Sequence, residues 1–139
     1  MKILIINGPN LNLLGKREPE IYGSQTLDDI LTALRSSFPT VEILHFQSNH
    51  EGTIIDRIQQ TLTEDLNGLV INGGAFTHYS HGIADALRML KIPKIEVHIS
   101  HIFSREEFRH TSVFAPACDG MISGLGVKGY ELAVRSIIA

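Results

Sequence analysis

The sequence predicts an α/β fold in which a five-stranded parallel sheet carries helices on both faces. Two observations support this. Short runs dense in Ile, Val and Leu recur along the chain, as in KILII and GLVIN, and read as strands buried on both sides. Between them lie segments whose apolar residues fall three and four apart, the stripe of an amphipathic helix. Alternation of the two calls for a parallel sheet.

Taken in order, KILII (2–6) is the first strand. TLDDILTALRSSF (26–38) is a helix whose start carries Thr26 and Asp29 at capping-box spacing, with Leu27, Ile30, Leu31 and Leu34 on one face. VEILHF (41–46) is the second strand, TIIDRIQQTLTE (53–64) the next helix and GLVIN (68–72) the third strand. SHGIADALRML (80–90) is helical, KIEVH (94–98) and DGMIS (119–123) are strands, and KGYELAVRSII (128–138) closes the chain as a helix. At 139 residues the length fits one domain, 1–139. The strand order expected at this size is the flavodoxin-like 2-1-3-4-5.

Composition narrows the function. Hydrophobic residues at 43% suffice for one core, and a net charge of −3 provides no basic field for nucleic acid or an anionic membrane. The single Cys118 excludes an internal disulfide and fits a reducing compartment. The apolar run at the N-terminus is too short for a signal peptide or a membrane span, so a soluble cytoplasmic protein is the expectation.

In this topology ligands sit beyond the carboxyl ends of the strands. The polar stretches NGPN, NGGAFTH, HISHIFSREEFRH and SGLGVKG all fall at that edge. The loop spanning 7–25 shows neither helical nor strand periodicity and exceeds the usual length, so Arg17 and Tyr22 are expected on a lid. Gly15 and Gly23 would be its hinges. Asn10 can aim an amide or a held water at a developing oxyanion. Gly73-Gly74 allow either close backbone approach or a tight turn. Glu96 and His98, two apart on a strand, share a face; a carboxylate there can fix the imidazole tautomer, or the pair is a satisfied strand end. Arg105 and Arg109 would share a face if their segment is helical and could serve a polar or anionic ligand or favour ionisation of a nearby phenol, or pair with Glu106 and Glu107 as a solvated turn. His78/His81 and His98/His101 raise a metal, but no carboxylate completes either pair and the expectation is none. Asp85 lies among apolar neighbours near the stripe of its helix, which points toward another element or subunit.

NGPNLNLLGKREPEIYG, FQSNHEG, ING-GA-THYS, KIEVHIS, REEFRH and GLGVKGY follow one another along nearly the whole chain. Together they resemble the type II 3-dehydroquinate dehydratases, or type II dehydroquinases. The resemblance implies reversible loss of water from 3-dehydroquinate to give 3-dehydroshikimate, with no cofactor and no metal. It implies Tyr22 as the base beside the ketone, Arg17 next to it helping to keep the phenol ionisable, and Asn10 holding a water at the enolate. His98, oriented by Glu96, would protonate the departing hydroxyl. Asn72, His78 and Arg109 would hold ring hydroxyls, Ile99 and Ser100 the carboxylate, and Arg105 would serve the lid and site electrostatics. Asp85 would reach a neighbouring subunit's site in a homododecamer of four trimers. The chain departs from the family pattern at Gly73, where proline is frequent, at Phe76, at HGIAD and at His101.

Three other readings stand beside it. A metal-assisted hydrolase would use the histidine pairs and be chelator-sensitive. A flavin-binding or receiver-like module of the same fold would copurify yellow or need acids after the first strand, where Asn7 and Asn10 stand. A Schiff-base dehydratase would need Lys16 or Lys128, the only lysines mapped to the active edge.

Overall fold

The computed structural model describes residues 1–139. Strands β1 (Lys2–Asn7), β2 (Glu42–Gln47), β3 (Gly68–Asn72), β4 (Lys94–His98) and β5 (Gly120–Ser123) form one sheet in the order β2-β1-β3-β4-β5. Every pairing is parallel, as the sequence led us to expect. The register aligns Gln47, Asn7 and Asn72 across three neighbouring strand ends. Polar side chains that share a carboxyl edge are thereby set side by side.

Alternation along each strand sorts the core into two layers. Ile3, Ile5, Val70 and Val97 point to one face, where α2 (Leu27–Ser37) and α5 (Lys128–Ile138) cover them with Ile30, Leu34, Ala133 and Val134. Leu4, Ile6, Leu69 and Ile71 point to the other, under α3 (Glu51–Gln60) and α4 (His81–Arg88) with Ile54, Ile58, Ile83 and Leu87. Each such buried Leu or Ile contributes about 1.5–3 kcal/mol.

Helix ends follow local chemistry. The Thr26 hydroxyl accepts from Asp29 N–H at 3.1 Å and Asp29 accepts from Thr26 N–H at 3.1 Å, completing the expected capping box of α2. Ser80 caps α4 by accepting from Ile83 N–H. The helix expected over 53–64 begins earlier, at Glu51, and ends at Gln60; a 3-10 turn at Thr61–Thr63 follows, where the Thr61 hydroxyl donates to the Ile58 carbonyl at 2.6 Å.

Two segments differ from the sequence reading. The 7–25 loop contains α1 (Pro19–Tyr22), a single turn. Pro19 supplies the fixed first φ, and Gly23, at φ 82°, ends the turn. One turn is too short to leave a periodic signature. Residues 102–110 are not an α-helix but two 3-10 turns, Ile102–Ser104 and Glu107–His110, so Arg105 and Arg109 do not share a helical face.

Where β1 and β3 leave the sheet their backbones touch. A Cβ on Gly8 would stand 2.3 Å from the Gly73 carbonyl oxygen, so only glycine fits there. A Cβ on Gly73 would meet Phe114 Cε2 at 2.3 Å and Thr77 Oγ1 at 2.7 Å.

Candidate active site

A cleft opens beyond the ends of β1, β3 and β4. From the first loop come Asn10, Arg17 and Tyr22; from the β3 exit, Asn72, Gly74 and His78; from the β4 exit, His98, Ile99, Ser100, Arg105 and Arg109. Ten of the twelve candidate residues read from the sequence therefore line it, all but Glu96 and Asp85.

The first loop is braced by β2. Gln47 donates to the Gly8 carbonyl at 3.1 Å, and Asn49 accepts from Asn10 N–H at 2.9 Å. This gives the FQSNHEG stretch a structural task. Asn10 itself sits at φ 70°, a left-handed conformation that asparagine tolerates.

Tyr22 is gripped by two arginines. Arg105 Nη1 donates to the phenol oxygen at 2.8 Å, and the Arg17 guanidinium carbon lies 4.7 Å from the ring centroid. The contact at the hydroxyl itself is made by Arg105, which the sequence placed only loosely on the lid. Arg105 also donates to the Ser100 hydroxyl at 3.2 Å.

His98 and Glu96 form the pair expected from their spacing. His98 Nε2 donates to Glu96 Oε2 at 2.5 Å, and the Glu96 side chain is wholly buried. A buried carboxylate must be paired. Ser112 Oγ reaches both its oxygens, at 2.8 and 2.9 Å, and Thr77 Oγ1 donates at 3.2 Å. With Nε2 committed to the carboxylate, Nδ1 is the ring nitrogen left for chemistry. Sequence reasoning missed Ser112 and assigned Thr77 no role; the fold brings Ser112 to Glu96, and no local pattern marks it.

His78 Nδ1 donates to the Thr111 carbonyl at 2.8 Å, and its ring stacks on that of His98 with centroids 6.4 Å apart. Burial, above all, lowers its pKa; the charges of His98 and Arg109 add to this against the Thr111 hydrogen bond. His78 is thereby held neutral, with Nε2 as an acceptor. Arg109 Nε donates to Glu106 at 2.8 Å, and that hydrogen bond is the main cause of the lowered Glu106 pKa. The local ion pair and the cleft position coexist. Ile99 and Ser100 N–H groups have no acceptor within the protein. Two adjacent free amides suit a carboxylate.

Asp85 stands outside this chain's cleft; its side chain is 77% exposed on the subunit and pairs with Arg88 at 3.1 Å. The residues of its helix that face the core are Ile83, Ala84, Ala86 and Leu87. No three His, Cys, Asp or Glu side chains converge as a metal-holding group. A phenol at one wall and a carboxylate-backed imidazole at another make a cleft suited to paired proton transfers.

The Dehydroquinase class II family model matches residues 1–138. The chain is 54% identical to a 3-dehydroquinate dehydratase of Caldicellulosiruptor saccharolyticus over 98% of its own length and 95% of the relative's. It is 55% identical to a 3-dehydroquinate dehydratase of Thermotoga maritima, over 99% and 94%. Among solved structures, the type II dehydroquinase of Butyrivibrio crossotus superposes with a TM-score of 0.97 at 49% identity, covering 100% of this chain and 98% of that one. Alike in sequence, strand order and overall shape along nearly its full length, the chain belongs to the class II dehydroquinase family.

Proposed function

We propose that the protein is a 3-dehydroquinate dehydratase, a hydro-lyase that reversibly removes water from 3-dehydroquinate by anti elimination to give 3-dehydroshikimate. The observation that carries this reading is the cleft in which Arg105 holds the Tyr22 phenol and Glu96 backs the His98 imidazole. The reaction serves the shikimate route to aromatic amino acids or quinate breakdown.

Tyr22 Oη takes the proton beside the ketone, and the C–H electron pair moves into an enolate. Asn10 holds a water that donates to the enolate oxygen. The enolate collapses to the conjugated enone as the C–O bond breaks, and His98 passes a proton to the departing hydroxyl, which leaves as water. Glu96 stabilises the imidazolium that carries that proton. Both steps are proton transfers, so the scheme calls for no cofactor and no metal. The Ile99 and Ser100 amides, with the Ser100 hydroxyl, receive the substrate carboxylate. Asn72, His78 and Arg109 bind ring hydroxyls. Arg17 and Arg105 keep the base ionisable, and the first loop closes over the substrate.

The same reading makes 1–139 one catalytic domain and the working form a cytoplasmic homododecamer of four trimers, in which Asp85 reaches a neighbour's site. Its support is family membership, the single cysteine and the exposed position of Asp85. No helix is long and apolar enough to cross a membrane. Neither membrane nor nucleic acid enters the scheme.

The test is the ultraviolet absorbance of the enone formed when purified protein meets 3-dehydroquinate without added metal or cofactor. Absorbance that rises in proportion to enzyme is expected. A flat trace from folded protein overturns the assignment.

A further inference from the structure

The mechanism leaves several buried polar groups unused, Tyr130 and Asn7 among them. Tyr130, on α5, is fully buried, and its hydroxyl lies between two strand ends. Asn72 Nδ2 donates to it at 2.9 Å, and it donates to Asn7 Oδ1 at 2.5 Å. Asn7 Nδ2 lies 3.1 Å from His45 Nε2, and Asn72 Oδ1 accepts from Gly74 N–H at 3.2 Å. The result is a directed chain of polar groups, crossing from β2 through β1 and α5 to β3.

Its direction is fixed at one end. Gly74 N–H is a backbone group and can only donate, so Asn72 must present Oδ1 to it. Asn72 Nδ2 then faces Tyr130, whose one proton must go to Asn7 Oδ1. Asn7 Nδ2 in turn requires His45 Nε2 to be an unprotonated acceptor. Burial, above all, lowers the His45 pKa, with the Arg35 charge acting in the same sense, and this suits a neutral ring. Reversing the Asn72 amide would set its NH2 group against Gly74 N–H. No half of the chain can reverse alone, because Tyr130 has a single proton.

We infer that Tyr130, braced by Asn7, is a positioning residue that locks the Asn72 amide in one orientation at the floor of the cleft, so that Asn72 offers a substrate hydroxyl one fixed pattern of donor and acceptor. The inference rests on the dehydratase reading for its ligand, but the lock itself is a property of this chain. Without the Tyr130 hydroxyl, Asn72 Nδ2 loses its partner and only the Gly74 contact resists rotation.

The test combines kinetics with a direct view of the amide. Tyr130→Phe removes one hydroxyl and keeps the ring in the core. Its KM for 3-dehydroquinate is expected to rise about tenfold with kcat retained, the pattern of lost ground-state binding. In an Asn72→Ala background the same change is expected to add less than about twofold, because the residue it positions is gone. A merely structural tyrosine would lower the melting temperature and leave KM unchanged; that result, or independent multiplication of the two effects, overturns the inference. If Tyr130→Phe fails to fold, Asn7→Leu removes the acceptor that orients the hydroxyl, and the same KM split is expected. Crystal structures of wild type and variant separate this from the dehydratase reading. An Asn72 amide that is rotated or split in the variant supports the lock whatever the enzyme's substrate. An amide unmoved on Gly74 overturns it even if the wild type turns over dehydroquinate.

Discussion

Arg105 holds the hydroxyl of Tyr22, donating to its oxygen at 2.8 Å from a position 83 residues further along the chain. Base and activating cation thus belong to different loops, one after β1 and one after β4. Tyr22→Phe keeps the ring beside Arg17 and removes the proton acceptor. The expected loss in kcat is roughly 10²–10⁴-fold with substrate binding retained. Steady-state turnover with calorimetric binding checks it, and near-normal kcat would take the base role from tyrosine.

Arg105→Gln brings no charge to the phenol. A hydrogen bond to a charged group is worth about 1.5–3 kcal/mol, so kcat is expected to fall about 10- to 100-fold. Steady-state turnover with calorimetric binding on the variant decides this, and a rise in KM with kcat kept would give Arg105 a binding role only.

His98→Ala removes the proposed acid and is expected to cost kcat roughly 10²–10⁴-fold with the circular dichroism spectrum kept. Glu96→Gln keeps the size of the side chain but not its charge, so the imidazolium loses its counter-charge and kcat falls as well. A rise in KM alone for either variant would move the acid elsewhere.

Asp85→Ala should barely alter the stability of an isolated subunit, since an exposed ion pair contributes about 0–1 kcal/mol. Any loss of activity then reports a neighbour. Activity and particle mass are expected to fall together on dilution of the variant and recover on concentration. Unchanged activity and mass would leave Asp85 an ordinary surface acid.

His45 and His78 both have lowered pKa values, mainly through burial. Unfolding releases each ring to an ordinary value near 6.5, where it binds a proton more readily than in the fold. Over the window from about 6.5 down to the lowered values, the unfolded state binds more protons, so stability falls with falling pH. Melting temperature should therefore drop between about pH 7.5 and about pH 5.5. Replacing His45 with Gln should flatten part of that slope; an unchanged slope in both single variants, His45→Gln and His78→Gln, would assign it to other groups.

Much of this was legible in the sequence because it is local. The β-branched runs gave all five strands to within a residue or so, and Thr26 with Asp29 marked the start of α2. Glu96 and His98 announce their contact by sitting two apart on a strand. What escaped depends on topology. Ser112 meets Glu96, Tyr130 meets Asn7 and Asn72, and Arg105 meets Tyr22 only once crossovers have brought distant segments to one edge. The α1 turn escaped for another reason, since four residues hold no period. The exposure of Asp85 on the subunit was not legible, because apolar flanks do not fix which way a helical side chain points.

The contact between Gly73 and Phe114 bears on how this chain can drift. Gly73 has φ −75°, a value that proline adopts without strain. The obstacle to proline is the Phe114 ring, which fills the space a Cβ would take, and behind it the Thr77 hydroxyl that donates to Glu96. Positions 73, 77 and 114 are therefore coupled: a smaller residue at 114 would relieve the ring contact, but a side chain at 73 would still press on the Thr77 hydroxyl and through it on the support of Glu96.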